Sequence, residues 1–370
     1  MALLDVALPP LPAPTETGRL GIYQLKRIWA RMTAAMRGQA PPSTQHDRHL
    51  DYLVIHASGI GLEQASSYFS NHAPSFDEFE QWIIATTGGV EPQRVARINA
   101  AVAGTAYPDE VARWLAAIEA SEPVLSATDL AFWDKHGYVV LHDAVPAQTC
   151  AASAQAVWRH LDARPDDADS WYRSSDHGIM VQYFQHPAFE ANRRSKRLHK
   201  AFAQLWGTAD LWCTTDRVGF NVPERPGWQF PGPHLHWDCS VKTPIPFGTQ
   251  GILYLTDTPP EQGAFTLVPG FQRWGEAWLK SLPRGADPRQ QDLRALGAIP
   301  IGGRAGDLII WHQALPHGAS PNRGVAPRLV QYINMFPTRY EEQEEWICGA
   351  ANSACSLSPN RTRVYPSSQF

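Results

Sequence analysis

Gly306-Asp307-Leu308-Ile309-Ile310-Trp311-His312-Gln313-Ala314-Leu315-Pro316-His317-Gly318 is a short apolar run bounded by a Gly-Asp pair on one side and a proline-containing turn on the other. That pattern predicts a buried strand followed by a shaped turn that delivers a histidine. Runs of the same texture surround it: Gly251–Thr256, Phe265–Val268 and Arg328–Ile333, separated by Gly, Pro and Asn. Many short strands between Leu211 and Phe336 predict a β-sandwich or jelly roll, with the charged, helix-prone insert Arg273–Leu296 as an excursion over its mouth.

Upstream of this run stands His236-Trp237-Asp238. In an extended strand, as expected here, residues i and i+2 share a face, so His236 and Asp238 can reach one ion while Trp237 turns away. Two imidazoles and one carboxylate on one octahedral face leave positions open, which suits Fe(II) better than zinc. The downstream run offers two candidates for the third ligand, His312 and His317. Arg328 begins the strand expected to hairpin back beside the ligand strand, and its rigid fork matches a carboxylate such as the far end of 2-oxoglutarate.

Working outward, residues 121–210 read as a mixed α/β entry: a helix over Asp129–Gly137, a strand over Tyr138–Leu141 and a helix from about Pro146 to Leu161. Before it, Arg19 to about Ala120 carries helical periodicity at Ile22, Leu25, Ile28, Trp29 and Met32, with a capping box at Ser75-Phe76-Asp77-Glu78 and a stop at Gly88-Gly89. The expected organisation is a helical region at 1–120, a jelly-roll domain at 121–340 and a tail at 341–370. Arg193-Arg194-Ser195-Lys196-Arg197 reads as a solvated helix face. Hydrophobic residues at 44% and charged ones at 18% mark an ordinary globular chain, and a net charge of -4 gives no reason to expect nucleic acid. Five cysteines without CxxC spacing argue against a disulfide framework and a structural zinc module. With no secretory signal or membrane-length apolar run, the expectation is a cytoplasmic protein, with a homodimer open to it.

The chain resembles the phytanoyl-CoA dioxygenase family of Fe(II)/2-oxoglutarate oxygenases from Asp129 to Phe336. The likeness rests on Phe132–Leu141, on Gln262–Gln272, on Gly306–Gly318 and on the metal motif, in family order. It implies an α+β chain built on a double-stranded β-helix, a cupin-like jelly roll. It also implies His236, Asp238 and His317 as iron ligands and Arg328 as the 2-oxoglutarate clamp, with dioxygen as second co-substrate. Tyr254 and Asn221 are the candidates for further bonds to the keto acid. The family pattern Pro-Gly-Ser-His is Pro269-Gly270-Phe271-Gln272 here, and Ala319 stands where a serine is common. Halogenating relatives lack the acidic ligand that Asp238 supplies, so hydroxylation or a related oxidation of a small metabolite is the expected activity, releasing succinate and CO2. Trp171, Tyr172, Trp228 and His234 are the candidate substrate contacts. The competing readings are a non-catalytic metal-binding jelly roll and an oxygen-independent cupin-type enzyme.

Overall fold

The computed structural model describes residues 11–39, 43–173 and 178–339. These residues form two compact units that part between Trp114 and Leu115. The first holds α1 (Leu25–Met36), α2 (Gln45–Ala57), α3 (Leu62–His72), α4 (Phe76–Thr87), α5 (Pro92–Ala103) and the start of α6 (Asp109–Glu119). The division thus falls inside α6, slightly before the expected boundary at 120, and the expected tail lies outside the described residues. At α4 the predicted capping box is present in both directions, with Ser75 accepting the Glu78 amide and the Glu78 carboxylate accepting the Ser75 amide. Gly88 closes the helix in the left-handed conformation (φ 78°) that glycine adopts without a Cβ clash. Ile22, Leu25, Ile28 and Met32 are buried, whereas Trp29 is half-buried and donates its indole N–H to the Pro74 carbonyl at 2.8 Å.

The second unit continues with α7 (Ala127–His136), β1 (Tyr138–Leu141), α8 (Ala147–His160), a 3-10 turn at Ala168–Tyr172, β2 (Met180–Val181), α9 (Pro187–Arg193) and α10 (Lys196–Trp206). Strands β3 (Leu211–Cys213), β4 (Val218–Asn221), β5 (Thr249–Tyr254) and β6 (Phe265–Leu267) follow, then α11 (Phe271–Ser281) in the insert. The unit ends with β7 (Ile299–Ile301), β8 (Leu308–His312), β9 (His317–Gly318), β10 (Arg328–Tyr332) and β11 (Met335–Pro337). They assemble as a six-stranded antiparallel sheet in the order β1-β8-β5-β10-β4-β2, a three-stranded sheet β7-β6-β9 and a pair β11-β3.

Strand alternation divides the large sheet between two cores. Leu308 and Ile310 of β8, Leu253 of β5 and Leu329 of β10 pack with Val157 of α8 and Phe202 of α10. Their neighbours Ile309 and Trp311, Ile252 and Tyr254, and Val330 pack instead with Phe265, Leu267 and Ile301 of the small sheet. The large sheet therefore has a helix-covered face and a face shared with a second sheet. No helix among the described residues is long and apolar enough to cross a membrane.

Three local expectations need correction. The basic run 193–197 is not one helix face but the junction of α9 and α10, where Arg193 is buried and donates to the carbonyls of Phe184 and Asp216. Ser195 caps α10, and Arg197 donates to the His142 and Asp143 carbonyls. Strand β10 does not lie beside the ligand strand: β9 pairs with β6, whereas β10 pairs with β4 and β5 in the other sheet. The intervening segment 319–327 carries the chain from one sheet to the other. Finally, His236-Trp237-Asp238 is a loop held by a single bridge between His236 and His317, not a continuous strand.

Candidate metal centre

That bridge brings the motif together. His236 and His317 exchange backbone hydrogen bonds at 2.8 and 3.0 Å, which sets their rings 4.8 Å apart. Asp238 closes the group, with Oδ1 3.3 Å from His236 Nε2 and Oδ2 3.1 Å from His317 Nε2. One ligand atom from each of the three lies within 4.8 Å of the others. His317 is buried between Phe265 and Trp311, while Asp238 keeps 31% of its side chain accessible, so the group can be reached from solvent.

Both rings are oriented by carbonyls two residues back: His236 Nδ1 meets His234 O at 2.7 Å and His317 Nδ1 meets Leu315 O at 3.0 Å. A carbonyl only accepts, so each Nδ1 carries the proton and each Nε2 is left with its lone pair toward the shared centre. Two lone pairs and a carboxylate converging on one point require a positive charge between them. Burial opposes charge on His236, yet the Asp238 carboxylate raises its pKa above the ordinary value; burial likewise opposes charge on Asp238, yet the two imidazoles hold it well below the carboxylate range. This donor set fits a divalent cation.

His312, the competing candidate, points elsewhere. It shares the face of Leu308 and Ile310, accepts the Ala314 amide at 3.0 Å, and packs against Phe247 and Trp133. Burial pushes its pKa down to about 4, so it stays neutral.

The other predicted residues divide sharply. Arg328, Asn221 and Tyr254 lie on the large sheet, Arg328 directly opposite Asn221 in the β10–β4 register. All three are buried, and Arg328 Nε and Nη2 have no hydrogen-bond partner among the described residues. Arg328 is two residues from Val330 and so shares its side of β10, the face turned to the small sheet. Tyr254 differs from expectation: its hydroxyl donates to Ile301 O at 2.6 Å and accepts from the Phe265 amide, so its single proton already holds the two sheets together. Asn221 gives its amide N–H groups to the carbonyls of Ser320 (3.0 Å) and Gly263 (3.5 Å), leaving its buried Oδ1, an acceptor, without a partner among the described residues. Neither has a donor left for a keto acid in this arrangement.

Trp171 is a core residue bonded to Arg164 O, while Tyr172 and Trp228 pack edge to face at 6.1 Å with the Arg225 guanidinium 3.4 Å above the tyrosine ring. His234 is exposed, with its ring 5.7 Å from Phe230. Two supporting residues were not singled out from the sequence. Gln250 donates to Asp238 Oδ2 at 2.6 Å, and Arg289 of the insert donates to the carbonyls of Trp237 (2.6 Å) and Cys239 (2.7 Å), straddling Asp238. The inward parity of Gln250 with Ile252 and Tyr254 was a usable signal for the first; nothing local marks Arg289.

The family profile of phytanoyl-CoA dioxygenase (PhyH) matches residues 133–330. The chain belongs to the phytanoyl-CoA dioxygenase family. A Dictyostelium discoideum protein named for phytanoyl-CoA dioxygenase is 21% identical over 275 residues, 58% of this chain and 78% of the relative. The Ava biosynthesis cluster protein O of Aspergillus versicolor is 24% identical over 165 residues, 39% of this chain and 52% of that protein. Among solved structures, the alpha-ketoglutarate-dependent epimerase SnoN of nogalamycin biosynthesis is 20% identical with a TM-score of 0.40, over 60% of this chain and 83% of that one. HygX from Streptomyces hygroscopicus, with nickel and 2-oxoglutarate bound, is 17% identical with a TM-score of 0.42, over 60% and 91%.

Proposed function

We propose that this family member is a non-haem Fe(II)/2-oxoglutarate-dependent dioxygenase that hydroxylates or otherwise oxidises a small organic metabolite. The convergence of His236, Asp238 and His317 carries the reading. On it, the paired sheets are the double-stranded β-helix of a jelly roll, and α1 to α6 form an additional helical region. The two Nε2 atoms and the Asp238 carboxylate would hold the iron, and Arg328 would receive the distal carboxylate of 2-oxoglutarate on the N–H groups that lack a partner among the described residues. Iron and the keto acid bound there supply oxidative chemistry with dioxygen, releasing succinate and CO2. The chain's own part is to orient: the carbonyls of His234 and Leu315 fix the imidazole tautomers, and the Phe265–Trp311 pair walls His317 from water. Tyr172, Trp228 and His234 remain the proposed substrate contacts, whereas Trp171, buried in the helix-side core, is not one of them.

Anaerobic titration of the Fe(II)-loaded protein with 2-oxoglutarate tests this, read by the weak visible charge-transfer band of the chelate. A band that disappears in His317→Ala and Arg328→Ala supports the assignment, and succinate release then screens substrates. Bound iron with no band defeats the oxygenase reading in favour of a metal-binding protein or an oxygen-independent enzyme.

A further inference from the structure

We infer that Gln250, oriented by Trp311, is a positioning residue that restricts Asp238 to metal ligation through one carboxylate oxygen. The inference rests on the metal centre proposed above. Gln250 and Trp311 are direct cross-strand partners in the β5–β8 register. The Trp311 indole N–H, which can only donate, meets Gln250 Oε1 at 3.1 Å. That contact decides which way the amide faces and leaves Nε2 as the group that points to Asp238 Oδ2, 2.6 Å away. An amide N–H on a carboxylate is charge-assisted and among the stronger bonds available to a neutral side chain.

The two carboxylate oxygens are therefore not equivalent. Oδ2 also lies 3.1 Å from His317 Nε2, a contact that needs a proton on that nitrogen and ends when a cation takes the lone pair. The Gln250 bond needs no such proton and persists. Oδ1 faces His236 Nε2 and carries no bond from Gln250. The distinction matters because a six-coordinate ion with three protein ligands has three positions left, two for a chelating keto acid and one for dioxygen. A carboxylate ligating through both oxygens would take one of them. Holding Oδ2 in a hydrogen bond keeps that position open.

The test compares wild type, Gln250→Met, Trp311→Phe and the double variant. Methionine keeps the length of glutamine without its N–H groups, and Gln250→Leu, also lacking the donor, serves if Gln250→Met fails to fold. Mn(II) affinity is measured by electron paramagnetic resonance and coordination by the visible absorption of Co(II). The expected result is roughly ten- to hundredfold weaker Mn(II) binding in Gln250→Met, as for loss of a bond supporting a metal ligand. The Co(II) band should change, and Trp311→Phe should weaken binding in wild type but add nothing in the Gln250→Met background. Affinity within about twofold of wild type, or an unchanged Co(II) spectrum, overturns the one-oxygen role. Equal losses from Trp311→Phe in both backgrounds overturn the orienting role. Wild type without affinity for Mn(II) or Co(II) would instead defeat the metal centre itself.

Discussion

Arg328 is a cation sealed in the second unit with two donor nitrogens unused, an arrangement that is costly unless something anionic arrives. Lysine keeps the charge but loses the planar fork. Arg328→Lys should therefore weaken 2-oxoglutarate binding to the Mn(II)-loaded protein by the worth of a charged hydrogen bond, about 1.5–3 kcal/mol, or roughly ten- to hundredfold. Mn(II) affinity itself should stay within about twofold; calorimetry separates the two constants. Arg289→Ala should do the reverse, lowering Mn(II) affinity by roughly tenfold through the loosened carbonyls on either side of Asp238. At this scale the sequence was most informative where spacing alone constrains geometry. His236 and Asp238 are two residues apart, and the bond that matters is between near neighbours. Arg289 lies about fifty positions from the loop it grips, so only the folded chain shows its role.

Strand parity keeps His312 away from the proposed metal centre. In β8 the alternation sends Ile309 and Trp311 toward the small sheet and His312 with Leu308 and Ile310 toward the helices, so His312 cannot join the ligands without a one-residue slip. The same alternation was readable in the strings 251–256 and 328–333. What periodicity could not show is which sheet each strand enters, because a turn such as 319–327 can return the chain beside its predecessor or carry it across. Gly318 of β9 tests the seam between β9 and the bridged loop that carries His236. A Cβ there would stand 2.6 Å from the His234 carbonyl oxygen, which belongs to backbone and cannot swing aside. Gly318→Ala should thus part the segments that carry His236 and His317. The expected outcome is loss of Mn(II) binding with most of the far-ultraviolet circular dichroism retained. At α4 the prediction is conventional: Ser75→Ala removes the cap and should cost about 1 kcal/mol in urea denaturation.

For the whole molecule, acid stability is tied to burial. His312 titrates near 4 in the folded chain against an ordinary 6.5, so the unfolded chain binds that proton more readily. Its contribution to stability is complete above pH 6.5 and is lost as pH falls from 6.5 toward 4. Urea midpoints measured across that window should fall less steeply in His312→Gln than in wild type. The hydroxyl of Tyr254 and the guanidinium of Arg328 stand on one sheet, the three ligands on the other and its bridged loop. A keto acid held by iron at one end and Arg328 at the other would act as a removable cross-link. Metal alone should slow amide exchange mainly around residues 236 and 317, and the keto acid should extend that protection across the gap to residues 219–221 and 328–330.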